Sequence, residues 1–188
     1  MTDTQHDFLR AGLESWIGKP LSTSGPSSAP DPVNVPMIRH WADALDDQNP
    51  VYLDEAFAAT TRHGGIVAPP AMLQTWTMPR PKVEGIAERG GSPSEIDSDN
   101  PISILSDAGY TNTLATNSEL AFERYLRPGD QLESATILES ISERKTTSLG
   151  EGYFVTWVTT YRDDQGDVVG TQRFRILKFK AGEAEQAP

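Results

Sequence analysis

Three residues able to handle a proton or a hydrogen bond stand close together in Asp47-Gln48-Asn49-Pro50-Val51-Tyr52, and the pair Gly64-Gly65 follows. A carboxylate such as Asp47 can accept a proton from water. The Asn49 amide is a turn former, because proline pushes the residue before it out of the α region. Tyr52 is a phenol with a reference pKa near 10, so near neutrality it holds its proton. Two glycines allow a tight turn and leave backbone N–H groups open to a developing oxyanion. Carboxylate, amide, phenol and glycine pair together suit proton transfer beside a polarised carbonyl.

Such residues need rigid supports. The pattern predicts a helix starting at Pro36, with Met37, Trp41, Ala44 and Leu45 buried on one stripe, and stopping at Asp46-Asp47. Ile66–Met78 (IVAPPAMLQTWTM) is apolar nearly all round, as a helix wrapped by a sheet can be. Its N-terminus would follow Gly64 and Gly65, placing their amides at the positive end of the helix dipole. The wrapping sheet is expected from Thr113–Leu126, Gln131–Arg144, Gly152–Arg162 and Val168–Lys180, which are rich in β-branched and aromatic residues. In the third of these, Tyr153, Val155, Trp157, Thr159 and Tyr161 share a face. Turns at 127–130 and 163–167 make the set an antiparallel meander with no βαβ alternation. The fold class is therefore α+β, a hot-dog arrangement in which an antiparallel sheet wraps a long central helix.

Four regions follow. Residues 1–19 hold an N-terminal helix over Asp7–Lys19, with Leu9, Leu13, Trp16 and Ile17 on one stripe and Gly18 as cap. Residues 20–35 form a Pro/Ser-rich linker or extended crossing; prolines stand at 20, 26, 30, 32 and 36. Residues 36–181 form the hot-dog domain, and 182–188 an unstructured tail. Within the domain, Pro81–Asn100 is a long polar loop in which Asp97 and Asp99 serve solvation, and Ile102–Asp107 with Gly109-Tyr110 would pack over a site mouth.

Composition narrows the class. A formal net charge of -11 opposes nucleic-acid binding, which needs clustered Lys and Arg. No run of about 18 apolar residues exists to span a membrane, and the N-terminus is polar and acidic where a secretory signal is basic and then apolar. A cytoplasmic protein is expected. The absence of cysteine removes disulfides and thiolate ligands. His40 and His63 have no spaced partners for a metal, so packing or surface roles are expected and no metal site. Trp76, Met72 and Met78 are expected in the core or on a pocket wall.

The run from Asp47 to Tyr52 with Asp54, followed by Gly64-Gly65-Ile66-Val67-Ala68-Pro69-Pro70, resembles the signature of MaoC-like (R)-specific enoyl-CoA hydratases and dehydratases. Leu120–Asp130 (LAFERYLRPGD) resembles a strand and turn of the same fold, so the likeness spans about residues 36–180. In that family an Asp and a His flank the water added across an enoyl double bond, and an amide at the start of the central helix holds the thioester oxygen. The resemblance implies a CoA-thioester substrate without further cofactor, bound by Gly64, Gly65, Ile66, Pro69, Met72 and Trp76. The departure is Tyr52, which stands where the family has its His. Asp47 and Tyr52 then read as vestigial dyad positions with Asn49 as turn support, a pattern similar to the non-catalytic subunits of heteromeric members. Ala68–Met78 and Asp107-Ala-Gly-Tyr110 look most like the larger subunits of actinobacterial hydratases acting on steroid side-chain CoA thioesters. In those a zinc-binding OB-type domain follows, so this chain is expected to be one domain of a longer protein. The implied partner is a second MaoC-like hot-dog subunit with intact Asp and His, in a heterodimer or heterotetramer. Two alternatives stand beside this: a self-sufficient hydratase using Asp47, and an acyl-CoA-binding scaffold without catalysis.

Overall fold

The computed structural model describes residues 3–22, 25–78, 83–85 and 100–181. The expected tail from Gly182, most of the 81–100 stretch, and Asp97 and Asp99 within it lie outside the described residues.

Four long strands make the sheet: β2 (Asn112–Phe122), β3 (Leu132–Ile141), β5 (Gly150–Asp163) and β6 (Val168–Ala181). Two short ones join them, β1 (Ser27–Ser28) and β4 (Lys145–Thr147). The order is β1-β3-β5-β6-β2 with β4 on β5, and every pairing is antiparallel. This is the expected α+β sheet with one change. β2 does not pair with β3 as a simple meander would; it lies at the far edge beside β6. A tight turn dictates pairing only for the strands it joins directly. The Asp163 carboxylate does this for β5 and β6, accepting from the N–H groups of Gln165 and Asp167. The 127–130 turn instead is held by Val33, through Gly129 N–H to Val33 O and Val33 N–H to Asp130 O.

Of the two readings of residues 20–35, the extended crossing is the one observed. Leu21 N–H donates to Thr136 O, Ser27 and Ser28 pair with Ser134 and Glu133, and Ala29 N–H donates to Leu132 O. The segment covers the β3 edge, where prolines cost no ladder bond because one side of an edge strand is unpaired. Ala29 and Val33 are buried.

Helix α1 (Asp3–Glu14) starts and ends earlier than its pattern predicts; Leu13 is buried, Leu9 and Trp16 pack at the margin, and Ile17 is exposed. Gly18, with φ of 81°, sends its N–H to Leu138 O. Helix α2 (Val35–Leu45) is capped by Asn34, whose side chain accepts from Met37 N–H. It buries Ile38 and Ala42 with Trp41 half-buried, whereas Met37 and Leu45 are 43% and 60% exposed. The expected stripe was thus the neighbouring one. Helical spacing fits both stripes, and the sequence pattern alone cannot choose between them.

The largest departure is the central segment. No helix runs over 66–78; a 3-10 helix of eight residues, Pro70–Thr77, stands there. Proline at 69 and 70 keeps Ala68 and Pro69 out of the α region, and Pro69 is extended at φ -51°, ψ 129°. Thr75, Trp76 and Thr77 are weak helix formers that cannot restart an α-helix so close to its end. Two cores result. The first joins Ile38, Ala68, Met72, Leu73, Trp76, Tyr161 and Val169. The second joins Leu13, Leu105, Tyr110, Leu138, Tyr153 and Ile176, so helix α5 (Pro101–Asp107) packs with α1. Expected over a site mouth, α5 instead belongs to the other core from the dyad turn.

Arg124 ties the loops at one end of the sheet, bonding Asp130 at 2.6 Å and Asp163 at 2.9 Å. The guanidinium holds the Asp163 carboxyl below its ordinary value. A depressed carboxylate contributes stability above the unfolded pKa, near 4, and loses it as pH falls through the lower folded value. Arg124→Met is therefore expected to lower the urea midpoint at pH 7, and the gap to wild type to shrink at pH 3. A gap independent of pH would remove this role.

Candidate functional site

The dyad turn is built by the end of α2. Asp46 adopts the left-handed conformation at φ 52°, uncommon outside glycine, and accepts from Gln48 Nε2. Asp47 N–H donates to Ala42 O, and Asp47 Oδ1 accepts from Asn49 N–H at 3.0 Å. Asn49 Oδ1 then accepts from Val51 N–H and caps helix α3 (Pro50–Leu53), and Asp54 caps helix α4 (Glu55–Thr60) by accepting from Phe57 N–H. Asp46, Asp47, Asn49 and Asp54 each thus accept a hydrogen bond within their own loop. Asp47, Asn49 and Tyr52 are brought together, and Tyr52 packs on the first core.

Burial foremost, then Tyr125 and Asp47, push the Tyr52 phenol above its ordinary value, and a hydrogen bond with Asn49 opposes them. Tyr125 was not singled out from the sequence, and His63 meets it edge-on with ring centroids 4.6 Å apart. Nothing in the spacing of 63 and 125 could have signalled that pair. Tyr52 remains a proton donor across the physiological range and cannot relay protons as an imidazole does. Burial also raises Tyr161 to about 12, and raises Tyr110 with help from Tyr153 and Glu151. A native state that keeps phenol protons the unfolded chain releases loses stability as pH rises past about 10. Urea midpoints are expected to drop steadily between pH 9 and 11.5, with less of a drop in Tyr161→Phe; a flat profile would contradict these burials.

Gly64 (φ 68°) donates its N–H to Thr61 O. The glycine pair does not sit at a helix N-terminus as expected: the 3-10 helix begins at Pro70, five residues on from Gly65, and its N-cap and first position, Pro69 and Pro70, lack N–H donors. Ile66 lines a hollow of about 450 Å³ with Arg39, Arg127, Leu53 and Glu55. Among the described residues neither arginine is ion-paired, so the hollow can receive an anion. Pro69 is buried, and Met72 and Trp76 are in the first core, at 0% and 5% exposure. Trp76 Nε1 is a buried donor without a partner. His40 is exposed, and the described residues contain no group of three or more His, Asp or Glu that could hold a metal. No helix among them is long and apolar enough to cross a membrane.

Sequence reasoning missed a second feature, on the sheet face under the 3-10 helix. A cavity of about 250 Å³ is lined there by Gln74, Thr136, Trp157, Thr159, Gln172 and Phe174, among others. Alternation and register place Thr136, Thr159 and Gln172 side by side on adjacent strands. The period-two pattern of β5 marked Thr159 as inward, but only the strand pairing reveals a row.

Known proteins agree with this architecture. Residues 16–172 match the family described as FAS1-like, dehydratase domain region. The chain is 44% identical over 182 residues to a protein named "Probable enoyl-CoA hydratase alpha subunit" from Thermomonospora curvata, covering 93% of this chain and 53% of that one. It is 42% identical over 172 residues to the "3-oxo-4,17-pregnadiene-20-carboxyl-CoA hydratase alpha subunit" of Mycobacterium tuberculosis, covering 90% and 52%. The chain spans about half the length of these curated relatives. The crystal structure of the ChsH1-ChsH2 complex from Mycobacterium tuberculosis contains a chain with TM-score 0.79 and 35% identity, with 95% of each chain covered. Fold and likenesses converge: the chain belongs to the FAS1-like dehydratase family, within the MaoC-like hot-dog proteins.

Proposed function

We propose that this chain is the pocket-forming, non-catalytic subunit of a heteromeric, cytoplasmic enoyl-CoA hydratase acting on a bulky, steroid side-chain enoyl-CoA. The observation that carries it is Tyr52. A half-buried phenol, its pKa raised further, stands where the dyad needs a group titrating near neutrality, and the Asp47 carboxylate accepts a hydrogen bond from its own loop. Relatives over nearly the whole chain are named as hydratase alpha subunits, and the structural neighbour is a complex of two proteins. β2 also leaves an edge whose Leu114, Leu120 and Phe122 are 38–46% exposed, as a strand awaiting a partner would.

A second hot-dog subunit with intact Asp and His would supply the reaction. Its base takes a proton from water as the oxygen attacks the β-carbon of the enoyl group, and its acid delivers a proton to the α-carbon. This chain binds and positions. Arg39 and Arg127, on the wall of the hollow that Ile66 lines, suit the phosphates of CoA. The substrate arrives as a CoA thioester, and no resident cofactor is required. Co-expression with a hot-dog protein carrying the full dyad, mass measurement of the complex and a spectrophotometric hydration assay test the reading. Turnover by the complex and none by this chain alone is expected; brisk turnover by the isolated chain would overturn it.

A further inference from the structure

Arginines on this chain are mostly matched with carboxylates. Arg10, Arg124, Arg144 and Arg173 each bond one at 2.6–3.3 Å. With a formal net charge of -11 carboxylates are in excess, so an arginine left without one has been placed away from them. Arg39 and Arg127 are two of this kind among the described residues, and they stand on the wall of one hollow.

The fold fixes the two relative to each other. Arg39 lies on α2, which starts directly after Val33 and the capping Asn34. Val33 N–H donates to Asp130 O and Val33 O accepts from Gly129 N–H, so the 127–130 turn is tied to the start of α2. Asp130 would be the natural counterion of Arg127, but its carboxylate accepts from Arg124 at 2.6 Å and from the backbone N–H of Arg127 at 2.8 Å. The Arg127 guanidinium is left to face the hollow, where Arg39 joins it.

The remaining wall is of two kinds. Val35, Leu53, Ile66 and Pro128 are apolar, and Glu55 adds a carboxylate that is ion-paired with neither arginine. A volume of about 450 Å³ is within the range of small-ligand sites. A diphosphate bridge matches this wall poorly, because it brings no flat apolar group and no donor for Glu55. A phosphate monoester on a nucleoside matches all three parts. The monoester carries close to two negative charges and three acceptor oxygens for two guanidinium forks. A purine has flat faces for the apolar side chains, and the amino group of adenine is a donor for the carboxylate.

We propose that this hollow binds the 3′-phosphoadenosine end of CoA, with Arg39 and Arg127 on the 3′-phosphate, Ile66 and Pro128 against the purine, and Glu55 accepting from the adenine amino group. This rests on the proposed acyl-CoA function and deepens it, by assigning which end of the carrier this chain grips. The diphosphate and the pantetheine arm then lead out of the hollow, and binding energy is gathered far from the reacting double bond.

Calorimetry of the full chain with CoA and with dephospho-CoA, which lacks only the 3′-phosphate, tests the assignment. CoA is expected to bind about 10–100-fold more tightly, the size of a charge-assisted contact. Arg39→Gln and Arg127→Gln, both at exposed positions, should each shrink that ratio, and the double substitution should bring it close to one. Adenosine 3′,5′-bisphosphate should bind several-fold more tightly than its inosine counterpart, which has a carbonyl in place of the amino group, and Glu55→Gln should abolish that preference. Equal affinities for CoA and dephospho-CoA, both weakened by the arginine substitutions, would give the hollow to the diphosphate and overturn the inference. A ratio that neither arginine substitution moves, or no binding of CoA, would overturn it too, and an adenosine preference surviving Glu55→Gln would remove the base contact. Turnover is read separately in the reconstituted complex. A complex that hydrates nothing while the chain keeps its preference for CoA over dephospho-CoA removes the hydratase function and leaves this site; equal kcat/KM for enoyl thioesters of CoA and dephospho-CoA does the reverse.

Discussion

Asp47→Asn is expected to leave kcat of the reconstituted complex within about threefold of wild type, whereas the corresponding substitution in the partner's dyad lowers it by about 10²–10⁴, the usual share of general acid–base catalysis. Asp47 is tied to its own loop. Its Oδ1 accepts from Asn49 N–H inside an Asx turn, and the nearest group at the second dyad position is a phenol whose proton burial retains. A carboxylate so placed has no acid to work against. Asparagine keeps an oxygen at the same point, so the turn and the α3 cap survive while any base function is lost. Tyr52 therefore carries no neutral-pH inflection, and the pH profile of the complex should report only the partner's groups. Steady-state rates for both single variants, at saturating substrate and from pH 6 to 9, decide the matter. A collapse caused by Asp47→Asn would restore the self-sufficient hydratase.

The strands, the hairpin at 163–167 and the inward face of β5 were legible because a period of two and turn residues are local signals. The turn from Asp47 to Pro50 was legible for the same reason, since Asn49 stands directly before Pro50. Three things were not. The central helix was read from apolarity over Ile66–Met78, but Pro69-Pro70 outweighed it, because backbone sterics of several kcal/mol per residue override burial when a 3-10 turn buries Met72, Leu73 and Trp76 equally well. The stripe of α2 facing inward depends on what covers it. The polar row Thr136–Thr159–Gln172 depends on register among three strands, which no single segment contains. Tyr125 and His63 beside the dyad turn have the same origin, since they meet from 62 residues apart.

Gly170→Ala is expected to destabilise the fold and to disturb the cavity, although Gly152, where an added Cβ would stand 2.3 Å from Lys178 O, is more crowded still. A Cβ at Gly170 would stand 2.7 Å from Ala121 O of β2 and 2.7 Å from Leu73 Cδ2 of the 3-10 helix. Leu73 can turn, but the Ala121 carbonyl is backbone on the neighbouring strand, and moving it displaces the β2–β6 ladder. Overpacking of this kind costs about 1–3 kcal/mol. For a domain of this size each kcal/mol lowers Tm by about 2–4 °C, so a fall of about 2–12 °C is expected by calorimetry. Gly12→Ala in α1 is the control. Its Cβ meets nothing within 4 Å, and a helix interior favours alanine by about 0.5–1 kcal/mol, so Tm should rise slightly. Equal melting temperatures for Gly170→Ala and wild type would show that β2 yields without cost, and with it the claim that this glycine sets how closely the 3-10 helix approaches the sheet would fail.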